Sequence, residues 1–90
     1  MSAEVKVYTT TYCGYCHAAK NLLKRKKVAF EEVDVTGNDE ARHWLAEVTG
    51  KHTVPQIFIN GAPVGGFDDL SLLDRQGKLD PLLAVPALAE

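Results

Sequence analysis

Cysteine is scarce in this chain: only Cys13 and Cys16 occur among 90 residues. Two thiols cannot build the multi-bridge framework of a small secreted domain. Long apolar runs are missing as well, and nothing approaches the roughly 18 consecutive apolar residues of a membrane-spanning helix. Charge of one sign is not in excess. A formal net charge of -2 gives nucleic acid or an anionic membrane little to hold. The opening Met1-Ser2-Ala3-Glu4 carries neither a basic n-region nor an apolar h-region, so the expected location is cytoplasmic. Internal repeats and low-complexity tracts are absent from the sequence. Hydrophobic residues at 46% and charged residues at 24% suit a globular chain with one modest core. The expectation is a single domain over residues 1–90, with a core over 4–83 and a frayed tail over 84–90.

The scarce cysteines lie together, in Tyr12-Cys13-Gly14-Tyr15-Cys16-His17. Before them, Val5-Lys6-Val7-Tyr8-Thr9 alternates in the manner of a strand; after them, apolar residues at 18, 19, 22 and 23 recur at helical spacing. Cys13 therefore falls at a helix cap and Cys16 in the first turn. The unpaired N–H groups and partial positive charge of a helix start favour a thiolate over a thiol. The field alone is worth about 0.3–1 kcal/mol, up to about 2 when partly buried. At 1.36 kcal/mol per pKa unit this lowers a thiol by about one unit. Direct N–H···S bonds must supply any larger shift. Cys13 is thus read as the nucleophile and Cys16 as the resolving thiol.

Further along, Lys24-Arg25-Lys26-Lys27 closes the first helix and complements its dipole, with the cations solvated. Ala29 to Val35 reads as a strand parallel to the first, because a helix intervenes. Thr36-Gly37-Asn38-Asp39 is a turn with a helix cap, and the helix Glu40 to Thr49 places Ala41, Trp44, Leu45 and Val48 on one face, with Trp44 read as core. Gly50 ends that helix. Gln56-Ile57-Phe58-Ile59 is a strong strand, and Asn60-Gly61 signals a type I′ hairpin into the short edge strand Ala62-Pro63-Val64-Gly65. A third helix follows, capped by Asp68 or Asp69, with Leu70, Leu73 and more marginally Leu72 facing inward, and ended by Gly77. Lys78 to Leu83 forms a last short helix. The order β-α-β-α-β-β-α describes an α/β fold with a four-stranded mixed sheet.

Two rival chemistries fit the cysteines less well. Cys13-Gly14-Tyr15-Cys16-His17 matches the haem-attachment pattern, but the only methionine is Met1, and His43 or His52 would have to serve as distal ligand. A structural zinc needs four ligands, against two thiols and scattered histidines.

Three separated motifs then resemble a dithiol glutaredoxin: Tyr12-Cys13-Gly14-Tyr15-Cys16, Thr53-Val54-Pro55-Gln56-Ile57-Phe58-Ile59 and Gly65-Gly66-Phe67-Asp68-Asp69-Leu70. The resemblance implies a thioredoxin-like fold with sheet order 2-1-3-4 and helices on both faces, and a cis Val54–Pro55 bond. It implies a glutathione site formed by Tyr15, Thr53, Val54, Pro55, Gly66, Phe67 and Asp68 beside catalytic Cys13 and Cys16. In it, the Val54 backbone pairs with the cysteine part of glutathione as an added strand would. Phe67 and Asp68 hold the γ-glutamyl end. The implied activity is glutathione-disulfide oxidoreduction on protein–glutathione mixed disulfides and protein disulfides, by a monomer with no nucleic-acid or membrane partner.

The chain departs from the family pattern twice. Thr10 stands where many members carry lysine, which leaves Lys51 or His52 to compensate. Gly14 stands where the common dithiol motif has proline. Some glycine-bearing members hold a [2Fe–2S] cluster between two copies, ligated by the first cysteines and two glutathiones. A cluster-bridged homodimer with Cys13 as ligand is therefore the alternative reading.

Overall fold

A computed structural model describes residues 3–11 and 13–86. Its strands are β1 (Val5–Thr9), β2 (Glu31–Asp34), β3 (Gln56–Ile59) and β4 (Ala62–Gly65); its helices are α1 (Gly14–Arg25), α2 (Asp39–Thr49), α3 (Phe67–Arg75) and α4 (Leu79–Ala84). The sheet order is β2-β1-β3-β4, with β1 and β2 parallel and the other two pairings antiparallel. This is the mixed sheet anticipated from the element order and the motifs. β1 lies centrally, so the chain leaving its end after Thr9 delivers Cys13 to the edge of a fully supported scaffold.

Strand alternation sends Val5 and Val7 of β1, with Ile57 and Ile59 of β3, to one face. There they meet Ala19, Leu22 and Leu23 of α1, Leu70 of α3, and Leu79 and Leu83 of α4. Leu23, Ile57, Leu70 and Leu79 are fully buried, each worth about 1.5–3 kcal/mol by transfer. The opposite face carries a smaller cluster, Val35, Leu45 and Phe58, with Tyr8, Val33, Ala41 and Val54 at its margin. Helices thus cover both faces.

Polar contacts fix the orientation of α1. The buried Thr9 hydroxyl donates to Glu32 at 2.8 Å, and Lys20 of α1 reaches the same carboxylate oxygen at 3.0 Å. At the hairpin, Asn60 and Gly61 both take positive φ, 51° and 81°, as the type I′ reading requires. The Asn60 side chain accepts from Glu4 N–H and donates to the Val85 carbonyl, so one turn residue fastens the start of β1 and the end of α4.

Four sequence expectations change. Trp44 is not core. It is 45% exposed, because α2 buries only Leu45 fully and Trp44 lies flat on Phe58 (centroids 5.9 Å) and against Tyr8 with one face left to solvent. Val48, expected on the same face, is also largely exposed. Leu72 turns outward, since the one-sided burial of this short helix is completed by Leu70 and Leu73. Lys26 is not simply solvated: its ammonium pairs with Asp74 at the end of α3 and with Asp80 in α4, tying three helices together. Both carboxylates raise its pKa, Asp74 foremost. Of the tail expected to fray, residues 87–90 lie outside those described, as does Tyr12 of the cysteine motif. Among the described residues, no helix is long and apolar enough to cross a membrane.

Candidate active site

Cys13 is the N-cap of α1, with extended backbone at φ -140° and ψ 105°. An N-cap side chain faces the orphan amides of the first turn, and here the group in that role is sulfur. Cys16 N–H donates to Cys13 Sγ at 3.1 Å. No acidic residue occupies the first turn to offset the helix field. The two sulfurs are joined as a disulfide across a Cα–Cα separation of 5.2 Å. Reduction frees the Cys13 sulfur at the cap, where that amide already points at it.

The two cysteines differ in access. Cys13 is partly exposed, whereas Cys16 is 2% exposed beneath it. Of the two sulfurs, Cys13 is the one open to solvent. One contact opposes ionisation: the Val54 carbonyl oxygen lies 3.7 Å from Cys13 Sγ. A carbonyl there favours the protonated thiol. The Cys16 N–H contact is the shorter of the two, 3.1 Å against 3.7 Å, and lies at the positive end of a 12-residue helix.

Beside Cys13 opens a groove of ≈ 300 Å³, bordered by Tyr15, Lys51, the segment Thr53-Val54-Pro55 and the segment Gly66-Phe67-Asp68-Asp69. Every non-cysteine residue assigned to the site from sequence lines it. The Val54–Pro55 bond is cis. Two residues outside that assignment also shape the groove. Gln56, fully buried at the start of β3, donates from Nε2 to the Thr53 carbonyl at 2.9 Å and to its hydroxyl at 3.3 Å. Its Oε1 has no partner. A polar residue heading an otherwise apolar strand was the available signal. Asp69, rather than Asp68, caps α3: its Oδ2 accepts Gly66 N–H at 3.1 Å and receives Lys51 Nζ at 3.2 Å. The Gly66 bond first, then Lys51, holds the Asp69 carboxyl below its usual range.

Of the two candidates to replace a lysine at position 10, Lys51 reaches the groove. His52 instead presents its carbonyl to Arg42 Nη2 at 3.1 Å. Gly14 needs no glycine on steric grounds, because a Cβ there meets nothing within 4 Å. The cluster alternative requires four thiolates. Of these, each chain would supply only Cys13 and two glutathiones the remainder; among the described residues no group of three or more His, Cys, Asp or Glu gathers within the chain itself.

The family model described as glutaredoxin matches residues 5–64. Glutaredoxin 3 of Escherichia coli (strain K12) is 49% identical over 81 residues, covering 90% of this chain and 98% of the relative. The glutaredoxin of Pseudomonas aeruginosa is 52% identical over 80 residues, covering 89% and 95%. Among solved structures, the buckwheat glutaredoxin–glutathione complex superposes with a TM-score of 0.85 at 33% identity, covering 90% of this chain and 76% of that one. A dithiol at a helix cap, on this sheet and in this sequence context, makes the chain a member of the glutaredoxin family, with the thiol–disulfide oxidoreductase role of that family.

Proposed function

We propose that the protein is a glutathione-dependent oxidoreductase acting on protein–glutathione mixed disulfides and on protein disulfides. The observation that carries this reading is the reach of one amide, Cys16 N–H, to a partly exposed sulfur beside a peptide-sized groove. In the first step the Cys13 thiolate attacks the glutathionyl sulfur of the mixed disulfide. A new S–S bond forms at Cys13, the old one breaks, and the target leaves as a thiolate that takes a proton from solvent. A second glutathione thiolate then attacks the glutathionyl sulfur on Cys13, releasing oxidised glutathione and regenerating the Cys13 thiolate. On protein disulfides the buried Cys16 displaces the target and leaves the Cys13–Cys16 bond.

The groove supplies binding. Val54 offers backbone pairing to the cysteinyl part of glutathione, and Thr53 and Pro55 shape that segment. The Gly66–Phe67 amides at the start of α3 suit the γ-glutamyl carboxylate, and the exposed Asp68 suits its ammonium. Tyr15 walls the groove. Lys51 provides the cation for the glycine carboxylate that Thr10 cannot. The reading places the protein in a reducing, glutathione-containing compartment, the cytoplasm, and treats residues 1–90 as one domain.

Turnover of a glutathionylated substrate with glutathione tests it. The wild type and Cys16→Ser are expected to turn over and Cys13→Ser to be inactive. Activity surviving in Cys13→Ser would overturn the reading.

A further inference from the structure

Thr9 and Asp34 are the last register pair of β1 and β2, and the Val35 N–H closes the ladder on the Thr9 carbonyl at 2.8 Å. Four positions after Thr9, Cys13 caps α1. Between the two the chain has left the sheet and not yet entered the helix, so neither pattern of backbone bonds holds it. Thr11 supplies a tie there. Its N–H donates to Thr36 Oγ1 at 2.7 Å, and the two hydroxyl oxygens lie 3.0 Å apart. Thr36 is itself fixed, because its N–H donates at 2.8 Å to Oδ1 of Asp34, two residues back at the end of β2. The Thr36 hydroxyl first, and its amide second, hold the Asp34 carboxyl below its usual range. One hydroxyl thus links the end of an edge strand to the residue two positions before Cys13.

Neither threonine borders the groove, and both are exposed, so they serve neither ligand contact nor core. Their placement bears on Cys13 instead. The Cys16 N–H meets Cys13 Sγ only while Cys13 keeps the extended backbone of an N-cap. A segment pinned at Thr11 leaves Cys13 few ways off the cap. An unpinned one must lose backbone entropy each time it returns. We infer that Thr36 is a positioning residue for Cys13, acting through Thr11 to keep the reactive sulfur on the cap of α1. The inference rests on the reading of Cys13 as the nucleophile and is independent of what the groove binds. The rate of any attack by Cys13 then scales with the fraction of molecules in which its sulfur sits on the cap.

The test compares the wild type with Thr36→Val, Thr36→Ser and Thr11→Val in two assays. One is kcat/KM on a glutathionylated peptide; the other is alkylation of reduced Cys13 by iodoacetamide at neutral pH, read by mass spectrometry. Thr36→Val keeps the shape and loses both contacts with Thr11. Both rates are expected to fall together by about two- to fivefold, the worth of one exposed hydrogen bond. Thr36→Ser restores the hydroxyl and the rates. Thr11→Val loses the hydroxyl contact but keeps the amide bond, so it falls between. A merely structural role moves neither rate, since the protein stays folded under assay conditions. Wild-type rates in Thr36→Val, or a loss that Thr36→Ser shares in full, would overturn the positioning role and leave the exchange reading intact. Should Thr36→Val fail to fold, unchanged alkylation in Thr11→Val overturns the role and slowed alkylation supports it. Absence of peptide turnover by the wild type would overturn the exchange reading, while the alkylation rates still decide the role of Thr36.

Discussion

Lys51 and Asp69 meet across one end of the groove, with Nζ 3.2 Å from the Oδ2 that also accepts Gly66 N–H. One carboxylate oxygen thus orients the start of α3 and holds a cation at the groove's edge. Lys51 follows the αL glycine Gly50 that ends α2, so the end of that helix aims it there.

If Lys51 takes over from the lysine missing at position 10, Lys51→Ala raises the KM for glutathione by about two- to fivefold, in keeping with one largely exposed charge pair. The same substitution leaves kcat less affected, and Thr10→Lys in the Lys51→Ala background restores part of the affinity. Steady-state kinetics of the wild type, the single variant and the double variant at low and high salt check this. An unchanged KM in Lys51→Ala would refute the assignment.

The depressed pKa of Asp69 has a stability consequence. Its folded value lies below the unfolded one, so its contribution is fully present above the unfolded value of about 3.9 and is lost as pH falls through the folded value. The urea midpoint of the wild type should therefore exceed that of Asp69→Asn at neutral pH. The gap should narrow below about pH 4. A gap independent of pH would show that ionisation of Asp69 contributes nothing.

Gln56 donates two hydrogen bonds to Thr53 from inside the protein. Gln56→Leu removes both and leaves a carbonyl short of a donor, costing about 1–3 kcal/mol. Because Thr53 leads directly into Val54, glutathione KM should rise alongside the stability loss. Gln56→Glu, which sets a carboxylate against the Thr53 carbonyl, should be worse on both counts. Denaturant melts and glutathione titrations separate the effects; a stability loss with unaltered KM would make Gln56 purely structural.

Gly65 and Gly14 should answer alanine differently. At Gly65, φ is +119° and a Cβ would lie 2.2 Å from Asp69 Oδ2, so Gly65→Ala must strain the backbone and dislodge the cap. A loss of about 1–3 kcal/mol is expected, with weakened glutathione binding. At Gly14 the space is open. Gly14→Ala should be tolerated, and thermal melts of both variants decide the matter.

The strands and helices were legible because periodicity and punctuation agree: Val5 to Thr9 alternates, Asn60-Gly61 turns, and Gly50 and Gly77 end helices. The pairing of β3 with β1 is not contained in any local pattern and came from the family motifs. Tertiary geometry decided the rest. Trp44 sits on a helical stripe, but how deeply a stripe is buried depends on how much sheet lies beneath it, which spacing does not encode. Whether Asp68 or Asp69 caps α3 turns on which one falls three residues beyond the cap, a one-residue matter. Lys26 reads as one more cation in a basic run until α3 and α4 bring Asp74 and Asp80 to it. The site's cysteines were readable because their chemistry depends on local position alone. Lys51 could be named only as one of two candidates and the role of Gln56 not at all, because both depend on a loop folded across the sheet.

The ionisation of Cys13 tests the account most directly. Titrating ultraviolet thiolate absorbance in reduced Cys16→Ser isolates it. A helix start and one N–H···S bond predict a midpoint below the ordinary thiol value of about 8.5, and alkylation at neutral pH faster than that of free cysteine. A midpoint at or above that ordinary value, with alkylation no faster than the free amino acid, would contradict it.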